Sequence, residues 1–91
     1  MSKMLITHGV VDVANWLKSE HKQERAGAIG SMGGSGVQDF VAEDGSANVA
    51  VSVNVEDVAL VMTTLASPPP ELLGAMEKHG VLPPFTVYIE K

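Results

Sequence analysis

Three histidines, the single arginine and the single tyrosine are the side chains of this chain with the widest scope for chemistry. A histidine titrates near neutral pH and can act as general acid or base, and a tyrosine hydroxyl can donate a proton or a hydrogen bond. His21 and Arg25 stand one helical turn apart, a spacing that could hold a carboxylate or an enolate between them. His8, His21, Arg25 and Tyr88 are the candidate catalytic residues on these grounds. With no cysteine in the chain, a nucleophile would have to be Ser or Thr, and no serine sits in an elbow motif. His8, His21 and His79 fall on three different elements, with no two at metal-ligand spacing along one of them, so the sequence defines neither a metal site nor a cofactor. Asp39, Glu43 and Asp44 read as solubilising residues around a turn, and His79 reads as a capping cation at a helix end.

These residues must be positioned by the elements around them. Met4 to Val10, Asn48 to Val55 and Pro84 to Ile89 carry strand patterns, and Val37 to Ala42 is a shorter fourth. In Asn48 to Val55 the valines at 49, 51, 53 and 55 share one face, against Asn48, Ala50, Ser52 and Asn54 on the other. Phe85, Val87 and Ile89 likewise oppose Thr86, Tyr88 and Glu90. Asp44-Gly45 marks a hairpin between the two middle strands. Helical patterns fill both gaps. Asp12 is a good N-cap, and Val13, Trp16 and Leu17 form an apolar stripe on which Trp16 should anchor the first helix to the sheet. That stripe then meets Glu20 and Glu24, flanked by His21 and Arg25. The second half of the helix therefore either tips into water or turns charge towards a wet pocket at the sheet edge. In neither case should His21 and Arg25 be needed for folding.

The second helical region opens near Asn54 to Asp57 and runs to about Leu65, where Ser67-Pro68-Pro69-Pro70 interrupts it. A further helical piece starts at Pro70-Glu71 with Leu72, Leu73 and Met76 on its apolar side, and Gly80 caps its end. The order is βαββαβ, an α+β, ferredoxin-like single domain over residues 1–91, with a four-stranded antiparallel sheet and both helical regions on one face. The other face has no cover within the chain. Its small and polar residues, with Tyr88, leave room for a ligand.

Gly27 to Gly36 holds five glycines but no lysine follows to reach a phosphate, and the segment leads out of a helix into a strand. It reads as a mobile connection or a weak, bulged strand start rather than a nucleotide cradle.

A chain of this length buries only roughly 60–65% of its unfolded surface, so a lone monomer should be marginal. Six basic against eleven acidic residues give a net charge of −5, which disfavours nucleic acid and anionic membrane surfaces as partners. No apolar run approaches the roughly 20 residues of a membrane span and no leader is visible, so a cytoplasmic protein is the expectation.

Thr7-His8-Gly9-Val10-Val11-Asp12 followed by Trp16, His21 and Arg25 resembles the start of small proteins in the dimeric α+β barrel superfamily. Ala66-Ser67-Pro68, Met76, Gly80-Val81 and Pro83-Pro84 resemble the second half of the same pattern. The superfamily includes antibiotic-biosynthesis monooxygenases, haem-degrading enzymes and stress-responsive barrel proteins. The resemblance implies a homodimer with two sheets packed face to face, and a pocket inside the barrel or between each sheet and its helices. Monooxygenase and haem-degrading members use an Asn on the first strand and a Trp further along. Here that strand carries Thr7 and His8 and the only Trp is Trp16, so neither catalytic set is carried over.

Two functions of different kinds follow. One is an enzyme acting on a small organic molecule by cofactor-free monooxygenation, isomerisation or cyclisation, with His21 and Arg25 at the pocket mouth and Tyr88 or His8 deeper. The other is a non-catalytic ligand-binding or protein-interaction module on the same dimer. Whether the His and Tyr side chains converge on one enclosed cavity separates them.

Overall fold

Four strands and four helices make up the computed structural model, which describes residues 2–91. The strands are β1 (Ser2–Val10), β2 (Gly34–Val41), β3 (Asn48–Val55) and β4 (Val81–Ile89). The helices are α1 (Val13–Trp16), α2 (Ser19–Ser31), α3 (Val58–Ala66) and α4 (Pro70–His79). The sheet order is β2-β3-β1-β4 and every pairing is antiparallel. This is the α+β, ferredoxin-like arrangement read from the sequence, with each helical region broken in two.

Strand alternation assigns the faces. Met4, Ile6 and Val10 from β1 and the odd-numbered valines of β3 are buried beneath the helices. Val61 of α3 closes one part of this core and Trp16 of α1 the other. Opposite them, Gln38, Ser52, Leu5 and Tyr88 stand in register across the sheet, and Phe40, Ala50, Thr7 and Thr86 form a second row beside them. No helix covers those two rows.

The first helical region departs from the expected single helix. Asp12 caps α1, accepting from the Ala14 N–H at 3.0 Å. The chain then turns extended at Lys18 (φ −56°, ψ 141°) and restarts at Ser19. The restart changes the phase, so His21, Arg25, Ile29 and Met32 form the inward stripe. Of the two readings of this helix half, the one that tips it into water does not hold: His21 is 4% exposed, and the Arg25 side chain 9%.

Three strands begin earlier than the sequence suggests: β1 at Ser2, β2 at Gly34 and β4 at Val81. Half of the Gly-rich stretch is helical, Met32 and Gly33 form a turn, and Gly34 to Gly36 start β2, with a register shift between Ser35 and Gln38. Gly34 is required there by close approach: a Cβ would sit 2.5 Å from Ile29 Cγ2 and 2.9 Å from Val53 Cγ2. Pro83 lies within β4 rather than before it, together with Pro84. β4 is an edge strand whose pairing with β1 shifts between Thr7 and Gly9, where missing donors are tolerated. Gly80, at φ 72°, ends α4 in the left-handed cap expected of it. No helix among the described residues is long and apolar enough to cross a membrane.

Candidate functional site

An apolar cavity of about 90 Å³ lies between the sheet and the helices. Ile6, Val51 and Val53 form its floor, Phe85 one side, and Leu65 and Met76 part of its roof. Its polar groups are His8 from β1, Glu24 and Arg25 from α2, and His79 from α4. Cavities for drug-sized ligands run to about 300–1,000 Å³, so an occupant here is small or enters only in part.

His8 shares the buried face of β1 with Ile6 and Val10 and meets the edges of two aromatic rings. Its centroid lies 5.9 Å from Trp16 and 5.4 Å from Phe85, both near-perpendicular. His8 Nδ1 is 2.8 Å from the Gly9 carbonyl oxygen. An oxygen of that kind only accepts, so Nδ1 carries the proton and Nε2 keeps its lone pair. Burial lowers the His8 pKa; the Gly9 contact opposes this and the Arg25 charge adds to it. A neutral imidazole with a free Nε2, in an apolar pocket, has the state required of a general base.

Arg25 is already engaged through all three of its nitrogens. Its Nε donates to Asp39 Oδ1 at 2.9 Å, Nη1 and Nη2 reach the Trp16 carbonyl oxygen at 3.4 Å, and its guanidinium carbon stacks 3.9 Å from the Trp16 ring centre. Asp39 is therefore no solubilising turn residue: it lies on β2 with its side chain 9% exposed, paired to Arg25. This ion pair fastens α2 to the sheet and leaves Arg25 little freedom to hold an anionic ligand.

His21 donates Nδ1–H to the Asn15 carbonyl oxygen at 2.7 Å and stacks on His79, with ring centroids 4.2 Å apart. His79 is 4% exposed, and its Nε2 has no hydrogen-bond partner among the described residues. Burial lowers its pKa, and His21 beside it lowers it further. The capping reading of His79 missed this packing, which depends on how α4 lies against α2. Glu24 completes the group, with Lys78 donating to its Oε1 at 2.9 Å and holding its carboxyl below the usual range.

Tyr88 does not join these residues. It stands opposite Leu5 on the uncovered side of the sheet and is 56% exposed. His8 and Arg25 thus meet at the cavity, His21 lies behind them against His79, and Tyr88 belongs to another surface. Glu24, Asp39 and His79 had no signal in the sequence beyond their ability to ionise, because tertiary packing alone brings them in.

No family model and no curated protein matches the chain. Several solved structures share its fold over nearly its whole length. One, described as an antibiotic biosynthesis monooxygenase, is 13% identical, with a TM-score of 0.62 over 100% of this chain and 97% of that one. A proposed antibiotic biosynthesis monooxygenase from Bordetella bronchiseptica is 12% identical, with a TM-score of 0.70 over 99% and 94% of the two chains. Another, from Nitrosomonas europaea, is 10% identical, with a TM-score of 0.60 over 100% and 97%. The fold is the ferredoxin-like one that these solved structures share.

Proposed function

We propose that this protein binds a small, largely apolar organic molecule in the cavity beneath its helices, and that His8 removes a proton from it. The supporting observation is His8 itself: a buried, neutral imidazole with Nδ1 committed to Gly9 and Nε2 free, on the wall of a mostly apolar cavity that Glu24, Arg25 and His79 also line. Apolar walls favour a substrate whose negative charge develops only on deprotonation, such as a phenol or an enolisable ketone. Return of the proton at another carbon gives isomerisation. Reaction of the carbanion with dioxygen gives monooxygenation, with one oxygen atom entering the product and the other leaving as water with two substrate hydrogens. The shared fold with monooxygenase-like proteins favours the second outcome.

The working unit in this reading is a homodimer closed over the uncovered sheet face. Its support is the face itself, where Phe40 and Tyr88 stay 47% and 56% exposed on a chain too short to cover them.

Screening small phenols and enolisable ketones by Trp16 fluorescence and oxygen uptake tests the proposal. Wild type should bind at least one and consume oxygen or exchange its acidic proton with solvent. His8→Gln should bind the same compound within about tenfold and lose turnover by about 10²–10⁴-fold. Unchanged turnover in His8→Gln overturns the role of His8. Binding with neither oxygen uptake nor proton exchange makes the protein a ligand carrier.

A further inference from the structure

His21, Glu24 and His79 form a cluster that the proposed proton transfer does not use. Each offers one ligand atom, and the three atoms lie within 4.8 Å of one another. Each has also been prepared by its surroundings. The Asn15 carbonyl takes the Nδ1 proton of His21, which leaves the lone pair on Nε2. Lys78 occupies Oε1 of Glu24, while Oε2 faces His79 Nε2 at 3.7 Å. That nitrogen is buried and has no hydrogen-bond partner among the described residues.

A buried ring nitrogen without a partner is uncommon and calls for an explanation. A hydrogen bond to Glu24 does not supply one, because 3.7 Å is too long. Nor does the His21 imidazole stacked at 4.2 Å, because ring N–H groups and lone pairs lie in the ring plane and stacked rings do not aim them at each other. A cation shared by all three residues does supply one.

We propose that His21, Glu24 and His79 bind a divalent transition-metal ion of borderline softness, with Zn²⁺ as the type. Two neutral imidazoles and one carboxylate suit such an ion, and three protein ligands leave a coordination position open. Ligand atoms around a tetrahedral zinc stand about 3.4 Å apart, given bonds of about 2.0–2.1 Å. The Glu24–His79 separation of 3.7 Å is close to that already. The two rings, now inclined at 29°, fan apart by side-chain rotation to aim both nitrogens at one point. The Asn15 carbonyl on His21 and the Lys78 ammonium on Glu24 serve as the outer contacts that orient the ligands. Glu24 and His79 also line the apolar cavity, so the open position adjoins it.

The test uses the untagged full chain and two probes, Co²⁺ followed by visible absorption and Zn²⁺ followed by calorimetry. Wild type should bind one ion per chain and give the intense d–d bands of low-coordinate cobalt. Glu24→Gln and His79→Gln should each weaken binding at least tenfold. Glu24 is largely at the surface, so Glu24→Gln should keep the wild-type melting curve without metal. That separates loss of a ligand from loss of the fold. The proposal is overturned if wild type binds neither ion at millimolar concentration, or if folded Glu24→Gln binds as wild type does.

Discussion

The two faces of the sheet are built from the same four strands and differ in almost everything else. The helix-covered face is dry, and it contains all three histidines at the end where α1, α2 and α4 converge. The uncovered face has Ala50, Ser52, Thr7 and Leu5 at its centre, with Phe40 and Tyr88 on the flanking strands, and no histidine. On the covered face three polar groups keep a partner under burial, Arg25 with Asp39, His8 with Gly9 and His21 with Asn15, while Trp16 Nε1 and His79 Nε2 have none among the described residues. Among the described residues, Ser52 is the one buried polar residue on the other face, donating to Gln38 Oε1 at 3.4 Å. The first face can therefore specify chemistry, while the second is suited to packing on another sheet.

The strongest way to break the covered face is through Trp16. It is fully buried, touches His8 by its edge and supports Arg25 on its ring. Trp16→Ala should cost roughly 3–5 kcal/mol, read as a loss of melting temperature or of folding altogether. Arg25→Ala comes next. It leaves Asp39 buried without its counter-charge, which should cost about 3 kcal/mol. Double-mutant cycles with Asp39→Asn should then give a coupling energy well above that of a surface pair. A cost under about 0.5 kcal/mol for Arg25→Ala would mean that the α2 restart does not bury the pair in solution.

The uncovered face should respond differently. Phe40→Asp combined with Tyr88→Asp places two charges where the proposed second sheet packs. Dimer affinity should fall at least a hundredfold by light scattering across a dilution series, which is about 2.7 kcal/mol or more. Both positions are exposed in the single chain, so they break association rather than the core. A wild-type chain that is monomeric at micromolar concentration removes the proposed assembly.

Where period and punctuation carry the signal, the fold was legible in the sequence. The valine alternation of β3 gave its boundaries, Asp12 the start of α1, and Gly80 the end of α4. The break at Lys18 was not legible, because no proline or glycine marks it, and only a phase change between Trp16 and Arg25 results. That one break decided between the two readings, placing His21 and Arg25 inside rather than in water. His8 and Arg25 could be chosen as site residues from residue type alone. The remainder depended on which way α2 and α4 present their polar faces, which periodicity does not encode when the helix is interrupted. Tyr88 was assigned to the uncovered face by strand alternation, and that assignment already separated it from His8 on the opposite side.

Acid should distinguish the two faces with the smallest effect of the series. His8 and His79 both titrate below the ordinary histidine value of 6.5 in the folded chain, in each case chiefly because burial disfavours the charged ring. Arg25 adds to this at His8, while at His79 the charges of His21, Arg25 and Lys78 add to it and Glu24 opposes it. A lowered folded pKa means that the unfolded chain takes up protons first, so stability is fully present above about pH 6.5 and declines as pH falls through the folded values. The melting temperature should therefore drop by a few degrees between pH 7 and pH 5. His8→Gln with His79→Gln should flatten that slope. The Phe40→Asp, Tyr88→Asp variant should keep it, because its new carboxylates titrate near pH 4 and neither histidine lies on its face. If that variant lost the slope, the pH dependence would belong to the association of two sheets, and burial of the histidines under the helices would not be its cause.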